Sequence, residues 1–158
     1  MVSLKWCCKK KSGIKLVEPS DNLSLSYIKT AENSLGTMNR ERKNNLTFAV
    51  SACYYSMYYS LYSILTKIGI KCEIHSCTLE FMRKLLTEFY TKDDMKIISK
   101  AFDLREIAQY HIEKVIDVKE ADFIMNKAPF FVNTSKEILS KMNDNDIKKL
   151  RDILKELI

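Results

Sequence analysis

The stretch from Leu46 to Thr66 constrains the fold of this chain more than any other feature, because it runs for 21 residues without a charged side chain. That length is enough for a helix to cross a bilayer, which takes about 20 apolar residues. Five tyrosines and four serines, however, would place nine hydroxyl groups in lipid, and tyrosine prefers the membrane interface. The stretch therefore predicts a helix surrounded by protein, and no membrane partner.

Small side chains recur along one face of this predicted helix. At helical spacing they are Ala49, Ala52, Ser56, Ser60 and Ser63. Such a stripe lets the backbone of a second helix approach closely, while the tyrosines beside it each bury a ring and keep a hydroxyl to hydrogen-bond. This pattern predicts the central helix of a bundle. A second interpretation, in which part of the surface belongs to a subunit interface, stays open.

The composition favours an all-α domain. At 158 residues, with 46% hydrophobic side chains, the chain is long enough to bury one core. Only three glycines and two prolines are present, which leaves little turn chemistry for an all-β fold. Periodicity and capping residues predict six helices, at about 20–38, 46–68, 76–89, 93–113, 117–139 and 147–157. Pro129 is expected to kink the fifth helix or to start a new turn.

The positive charge is concentrated at the beginning of the chain. The formal net charge is +6, and residues 1–17 hold five lysines and no acid, so the remainder is nearly neutral. We therefore predict two parts, a basic N-terminal arm at 1–17 and a helical domain at 18–158. A detachable arm of this kind binds RNA, DNA or an acidic partner in some proteins and is a solvated tail in others.

The cysteines are odd in number, and one of them lies inside the uncharged helix. They are Cys7, Cys8, Cys53, Cys72 and Cys77. Because residues 1–13 also lack the apolar core of a signal peptide, we predict a reducing, cytoplasmic location. Cys72, His75 and Cys77 lie close in sequence, but no second ligand pair follows at zinc spacing, so no metal is predicted. No glycine-rich phosphate loop is present, and no cofactor is predicted.

Two histidines narrow the search for a group that titrates near neutral pH. His75 follows the uncharged helix in a loop, where capping or loop packing is the ordinary role. His111 lies six residues after Arg105, which pairs a titratable base with a fixed cation. Metal-free RNA cleavage needs that pair, a base to take the 2′-hydroxyl proton and a cation to stabilise the phosphate. Arg105 and His111 are therefore the candidate catalytic residues.

Helix geometry separates these two residues within one chain. Six residues turn a helix through about 600°, which places Arg105 and His111 about 120° apart. One subunit brings them together only if the helix breaks between them. A two-fold dimer would instead bring two copies of each residue into one cleft.

Several short segments together resemble the HEPN domain of prokaryotes. They are Ala52-Cys53-Tyr54-Tyr55-Ser56-Met57-Tyr58, Leu65, Gly69-Ile70, His75-Ser76, Leu104-Arg105, Tyr110, Ala128 and Phe131-Val132. The resemblance extends from about Asp21 to Leu139. It implies an up-and-down bundle of four long helices plus a short helix, here with an additional C-terminal helix, in a protein that is usually homodimeric.

The resemblance also implies partners and an activity. Many members pair with a minimal nucleotidyltransferase in toxin–antitoxin systems, and the active ones resemble metal-independent endoribonucleases. Those carry an Arg, four to six residues and then a His, a spacing that Arg105 and His111 satisfy with five residues between them. In the toxin branch a Tyr that accepts adenylylation commonly lies two residues after the His, and this sequence has no such Tyr.

A second branch of the family leaves the role of His111 open. Its members carry an Arg, two residues and then Ala-Asp-Tyr, a pattern that Arg105 and Ala108-Gln109-Tyr110 match except for the amide of Gln109. Two hypotheses follow. One is an RNA-cleaving or RNA-binding toxin-like component, and the other is a non-catalytic module that binds a partner protein or a nucleotide-like ligand. The candidate binding residues are Tyr54, Tyr55, Tyr110 and His75.

Overall fold

Seven helices and one pair of two-residue strands make up the computed structural model, which describes residues 2–158. The helices are α1 (Leu4–Lys9), α2 (Asp21–Glu41), α3 (Leu46–Ile68), α4 (His75–Leu85), α5 (Lys92–Tyr110), α6 (Val118–Lys141) and α7 (Asp144–Lys155). The strands β1 (Lys15–Leu16) and β2 (Ile70–Lys71) pair antiparallel. The long helices α2, α3, α5 and α6 form the bundle, with α4 as the short helix and α7 as the additional one. The predicted all-α class is confirmed.

The uncharged stretch forms α3, whose first and last residues agree with the prediction. Asn45 caps its start by accepting a hydrogen bond of 3.2 Å from the Phe48 amide. Gly69 ends it in the left-handed conformation, at a φ of 81°. Of its 23 residues, 17 are buried, and α2, α5 and α6 pack around it, so α3 is the centre of the bundle. Within residues 2–158, no helix combines the length and apolarity needed to span a bilayer.

The small side chains of α3 are covered inside the subunit. Ser56, Ser60 and Ser63 are fully buried, and each hydroxyl donates to the backbone carbonyl three residues earlier. Ser60 also accepts a hydrogen bond of 3.1 Å from Ser135 of α6, and the Ser135 hydroxyl shares a bond of 2.6 Å with Tyr90. These contacts satisfy polar groups that would otherwise destabilise the core.

The helices differ from the predictions at several points: α1 was not predicted, α4 ends at Leu85 and not at residue 89, and α7 begins at Asp144 and not at residue 147. The helix predicted to reach Glu113 ends at Tyr110, because His111 leaves the helical region with φ −124° and ψ 66°. The helix α6 continues through Pro129, so of the two predicted outcomes, a kink or a new turn, the new turn is not observed. A proline removes one backbone hydrogen bond, and the buried side chains on either side, Ala128 and Phe131, keep the helix packed on α3.

The N-terminal segment folds against the bundle. Cys7 and Cys8 of α1 are buried, and a disulfide joins Cys7 to Cys77 of α4. Ile14 is fully buried, and β1 pairs with β2 directly after α3. The disulfide does not fit the reducing location that the odd number of cysteines predicted, because disulfides persist mainly in oxidising compartments or in hyperthermophiles. The cellular location and a domain boundary at residue 17 stay predictions.

Replacing Gly69 by alanine is expected to lower the free energy of unfolding by about 2–3 kcal/mol. The backbone there is left-handed, and an added Cβ would lie 2.3 Å from Nη1 of Arg151 and 2.5 Å from the carbonyl oxygen of Val17. Arg151 joins α7 to this junction by donating to the carbonyls of Val17, Ile68 and Gly69. Urea unfolding measures the change.

Gly36→Ala is the matched control for this substitution. Gly36 lies inside α2, where an added Cβ would meet only the flexible end of Arg40, at 3.4 Å. Alanine is the better helix former, so this variant is expected to gain about 0.5–1 kcal/mol. A similar loss of stability in both variants would contradict the importance of the left-handed turn at Gly69.

Candidate functional site

Arg105 of α5 is surrounded by tyrosine side chains, and only 8% of its surface is exposed. Its guanidinium carbon lies 5.9 Å from the ring centre of Tyr54, 5.6 Å from that of Tyr55 and 5.2 Å from that of Tyr110. At such distances a cation is attracted to an aromatic face. Nη2 donates to the Tyr55 and Tyr110 hydroxyls at 3.0 and 3.5 Å, and Nη1 pairs with Glu106. We call these five residues the arginine–tyrosine cluster.

The cluster holds a full positive charge in a mostly buried position. Burial opposes that charge, but the hydrogen bond to Tyr55 and the pairing with Glu106 outweigh it and raise the pKa of Arg105. Its Nε is buried and has no hydrogen-bond partner among the described residues. Tyr110 is 62% exposed and the Glu106 side chain 38% exposed, so the cluster opens to solvent on their side. An anionic ligand would reach the guanidinium from there.

His75, the first residue of α4, contacts one of the tyrosines that surround Arg105. Its Nδ1 shares a hydrogen bond of 2.7 Å with the Tyr54 hydroxyl. Its ring stacks on Tyr58, with ring centres 4.2 Å apart and planes within 5° of parallel. Burial lowers the pKa of His75, and the positive charge of Arg105 lowers it further. The carboxylate of Glu106 raises the pKa by a smaller amount. Burial and the charge of Arg105 thus favour the neutral imidazole.

The free energy of unfolding is expected to fall as the pH drops below about 6.5, the ordinary pKa of histidine. Because the pKa of His75 is lower in the folded protein, the unfolded chain takes up this proton first. The contribution of His75 is complete above the unfolded pKa and is lost as the pH falls through the folded pKa. Urea unfolding from about pH 7.5 to 5 measures this slope. His75→Gln should flatten it, and an unchanged slope in that variant would contradict the assignment.

His111 lies outside the cluster, at the end of the same helix. It is the residue that follows α5, and its Nδ1 is 3.3 Å from a carboxylate oxygen of Glu113. Its side chain is 44% exposed and lines a groove of about 390 Å³ with mostly apolar walls. Two residues of that groove, Ile112 and Val115, are 94% and 93% exposed. The carboxylate orients the imidazole and leaves Nε2 open, the arrangement that an acid–base group needs.

The residues predicted from the sequence thus fall into two places. Those gathered at the cluster are Arg105, Tyr54, Tyr55, Tyr110 and His75. His111 faces the groove, and within residues 2–158 no hydrogen bond or ion pair joins it to Arg105. One subunit therefore holds the cation and the exposed histidine in separate surroundings.

Sequence reasoning did not identify three members of this site. Glu106 pairs with Arg105 and directly follows it in sequence, so its position next to the candidate arginine could have identified it. Tyr58 lies one helical turn after Tyr54, so the two rings share a face of α3 and both contact His75. Phe102 lies 5.5 Å from Tyr54 and closes the site from α5. Its contact depends on how α5 packs on α3, which no local pattern shows.

The three residues considered as a metal site are engaged elsewhere. Cys77 forms the disulfide with Cys7, and His75 is bonded to Tyr54. Cys72 is a buried free thiol whose pKa is raised by burial. Over residues 2–158 no group of three or more His, Cys, Asp or Glu side chains is arranged to hold a metal ion.

Comparisons with known proteins match most of the bundle. The family model of the HEPN domain matches residues 24–139, which include α3, α5 and the arginine–tyrosine cluster. A protein named "Putative toxin" from Methanocaldococcus jannaschii is 32% identical over 130 residues, which cover 75% of this chain and 86% of that protein. A UPF0332 protein from Archaeoglobus fulgidus is 30% identical over 92 residues, which cover 58% of this chain and 74% of that protein.

Proposed function

The chain belongs to the HEPN domain family, and we propose that it is a toxin-like member that cleaves RNA without a metal ion. The observation that carries the proposal is the carboxylate of Glu106 on Nη1 of Arg105. A phosphate has the same charge and offers similarly spaced oxygens, and arginine binds either anion through its fork of N–H groups. A phosphate that displaced Glu106 would meet the same N–H groups of Arg105. The name of the M. jannaschii relative supports the toxin-like part.

In this proposal His111 transfers the protons and Arg105 stabilises the phosphate. The neutral imidazole of His111 takes the proton of a ribose 2′-hydroxyl, whose oxygen then attacks the adjacent phosphorus. The guanidinium of Arg105 stabilises the additional negative charge on the phosphate. The bond to the 5′-oxygen breaks, and that oxygen takes the proton back from the imidazolium that formed on His111 in the first step. The products are a 2′,3′-cyclic phosphate and a free 5′-hydroxyl, so atoms and charge balance without a metal.

A homodimer would complete this site. His111 and Arg105 are separate within one subunit, and a two-fold axis at the groove would bring both copies of each into one cleft. The apolar side chains of the groove support such an interface, since Ile112 and Val115 are 94% and 93% exposed. The mass in solution measures the oligomeric state. A strict monomer at micromolar concentration would remove the composite site.

The experiment that tests the activity is incubation of the purified protein with RNA in excess EDTA. Cleavage should persist without metal and leave 2′,3′-cyclic phosphate ends, and it should disappear in His111→Ala. Lys141→Ala, an exposed substitution at the end of α6, is the control and should cleave like the wild type. Absence of cleavage with any RNA, or cleavage retained in His111→Ala, would contradict the proposal.

The second candidate function is a non-catalytic module that binds a partner protein or a nucleotide-like ligand. It is favoured by one observation, that the donors Nη1 and Nη2 of Arg105 are already satisfied by Glu106, Tyr55 and Tyr110. In either function we propose a nucleotidyltransferase antitoxin as the partner. Co-purification with the product of a neighbouring nucleotidyltransferase gene tests the pairing. Nucleotide binding that persists in a protein unable to cleave RNA would favour the module.

A further inference from the structure

The N-terminal segment carries the densest unpaired positive charge in the described chain. Its lysines are Lys5, Lys9, Lys10, Lys11 and Lys15, and residues 1–17 contain no acid. None of these five takes part in an ion pair, whereas seven lysines elsewhere do. The nearest acid across the strand pair, Glu73, is paired with Lys71. A group of like charges without local partners is a site for a polyanion.

This segment is a fixed surface and not a free tail. Cys7 is covalently joined to Cys77 of α4, Ile14 is fully buried, and β1 is paired with β2. The amide of Ile14 also donates to the carbonyl of Cys7 at 3.0 Å, which closes the turn after α1. Since Lys5, Lys9, Lys10 and Lys11 are exposed on this anchored backbone, a ligand would not have to order the segment on binding.

An aromatic ring lies among the lysines. Trp6 is 41% exposed, and the ammonium of Lys10 is 4.7 Å from its ring centre. Exposed aromatic rings within a basic surface are the feature by which proteins bind single-stranded nucleic acids, because bases stack on the ring while lysines contact the phosphates. Double-stranded nucleic acid offers no free base face for Trp6, so the ring favours single strands. An acidic protein would use the charge but not the stacking.

We infer that α1 and the turn after it, residues 4–15, form a binding surface for single-stranded nucleic acid, with Trp6 stacking on a base and the lysines on the phosphates. The same helix α4 that anchors Cys7 through Cys77 begins at His75, which contacts the arginine–tyrosine cluster. The surface is therefore joined to the helix that carries His75. The preference for RNA over DNA rests on the proposed function, and the binding itself does not.

Trp6 is the single tryptophan of the chain, so its fluorescence reports this surface directly. The full-length protein is titrated with oligouridylate and with oligothymidylate of equal length, in EDTA. Oligothymidylate has no 2′-hydroxyl to attack the phosphate, so it measures binding even if the protein cleaves RNA. Both are expected to quench Trp6 fluorescence saturably, with oligouridylate bound more tightly.

A triple variant measures the contribution of the lysines. Lys9→Ala, Lys10→Ala and Lys11→Ala together should weaken binding at least tenfold at about 0.1 M salt and reduce the salt slope of log K by about 2. The control removes the same charge elsewhere through Lys119→Ala, Lys141→Ala and Lys148→Ala, all exposed and outside any ion pair. Trp6→Ala, followed by the anisotropy of a labelled oligonucleotide, should lose roughly tenfold.

Three results would overturn the inference. They are the absence of Trp6 quenching by both oligonucleotides, equal losses in the two triple variants, and quenching by polyglutamate but not by either oligonucleotide. Thermal unfolding of each variant confirms that the fold is intact. If the oligonucleotides quench Trp6 fluorescence but RNA is not cleaved, the proposed catalysis is contradicted and this surface stays supported. If RNA is cleaved but Trp6 fluorescence is not quenched, this surface is contradicted and the proposed catalysis stays supported.

Discussion

Removal of the Cys7–Cys77 disulfide is expected to lower the free energy of unfolding by about 4 kcal/mol. The bond joins residues 70 apart, so it restricts a long loop of the unfolded chain, and longer loops give larger effects. Both cysteines are fully buried, and alanine is the suitable replacement because serine would bury a hydroxyl. A loss of this size is a large part of the stability of a small domain.

Reductant provides the internal control for this prediction. Wild-type protein should unfold at a lower urea concentration when reduced, whereas Cys7→Ala/Cys77→Ala should unfold at the same concentration with and without reductant. Thiol counting on the denatured protein should give three free cysteines, Cys8, Cys53 and Cys72, rising to five after reduction. Five thiols in the untreated protein, or a wild type insensitive to reductant, would contradict the prediction.

Substitution of Arg105 is expected to cause a large loss of the proposed RNA cleavage. Arg105→Ala and Arg105→Lys should each lower kcat/KM by about 100- to 1000-fold, the usual result of removing one group that stabilises transition-state charge. Lysine keeps the charge but lacks the planar fork that binds Tyr55, Tyr110 and a phosphate together. If Arg105 acts mainly on the transition state, kcat should fall more than KM rises.

Arg42 offers a matched control for this arginine. It forms an ion pair with Asp122 at 2.9 Å and also donates to Asn126, joining the end of α2 to α6. Arg42→Lys changes the same functional group in a polar network outside the cluster, so cleavage should stay within about twofold of the wild type. Full activity in Arg105→Lys would rule out the paired contact with phosphate. Equal losses in Arg42→Lys and Arg105→Lys would point to damage to the fold.

Six of the seven helices described in residues 2–158 could be predicted from the sequence because their signals are local, and α1 was missed. The absence of charge, the cap at Asn45 and the stop at Gly69 are enough to give both ends of α3. The predicted end of α5, Glu113, lies three residues beyond the observed end because Ile107, Ala108 and His111 continue the helical spacing. The chain leaves the helix at His111, where α5 no longer has a buried face to pack.

The site depended on contacts between distant parts of the chain. Arg105 and Tyr55 are 50 residues apart, and Tyr54 and His75 are 21 apart, so neither hydrogen bond follows from spacing within one helix. The resemblance to the HEPN domain indicated which residues belong to the site but not how they are arranged in space. Disulfide connectivity among five cysteines cannot be read from a sequence either. The anchoring of the N-terminal segment was therefore missed, although its lysines were recognised.

The position of α3 in the sequence has a consequence for how the chain folds. Before folding, 21 uncharged residues rich in tyrosine and free of proline and glycine form a segment of the kind that aggregates as β-structure. Its most extensive contacts are with α2, which precedes it and is joined to it by the short turn 42–45. Closing so short a loop costs little entropy and is fast. We therefore expect the segment most exposed to misassembly to be shielded first by α2, its nearest neighbour in the chain.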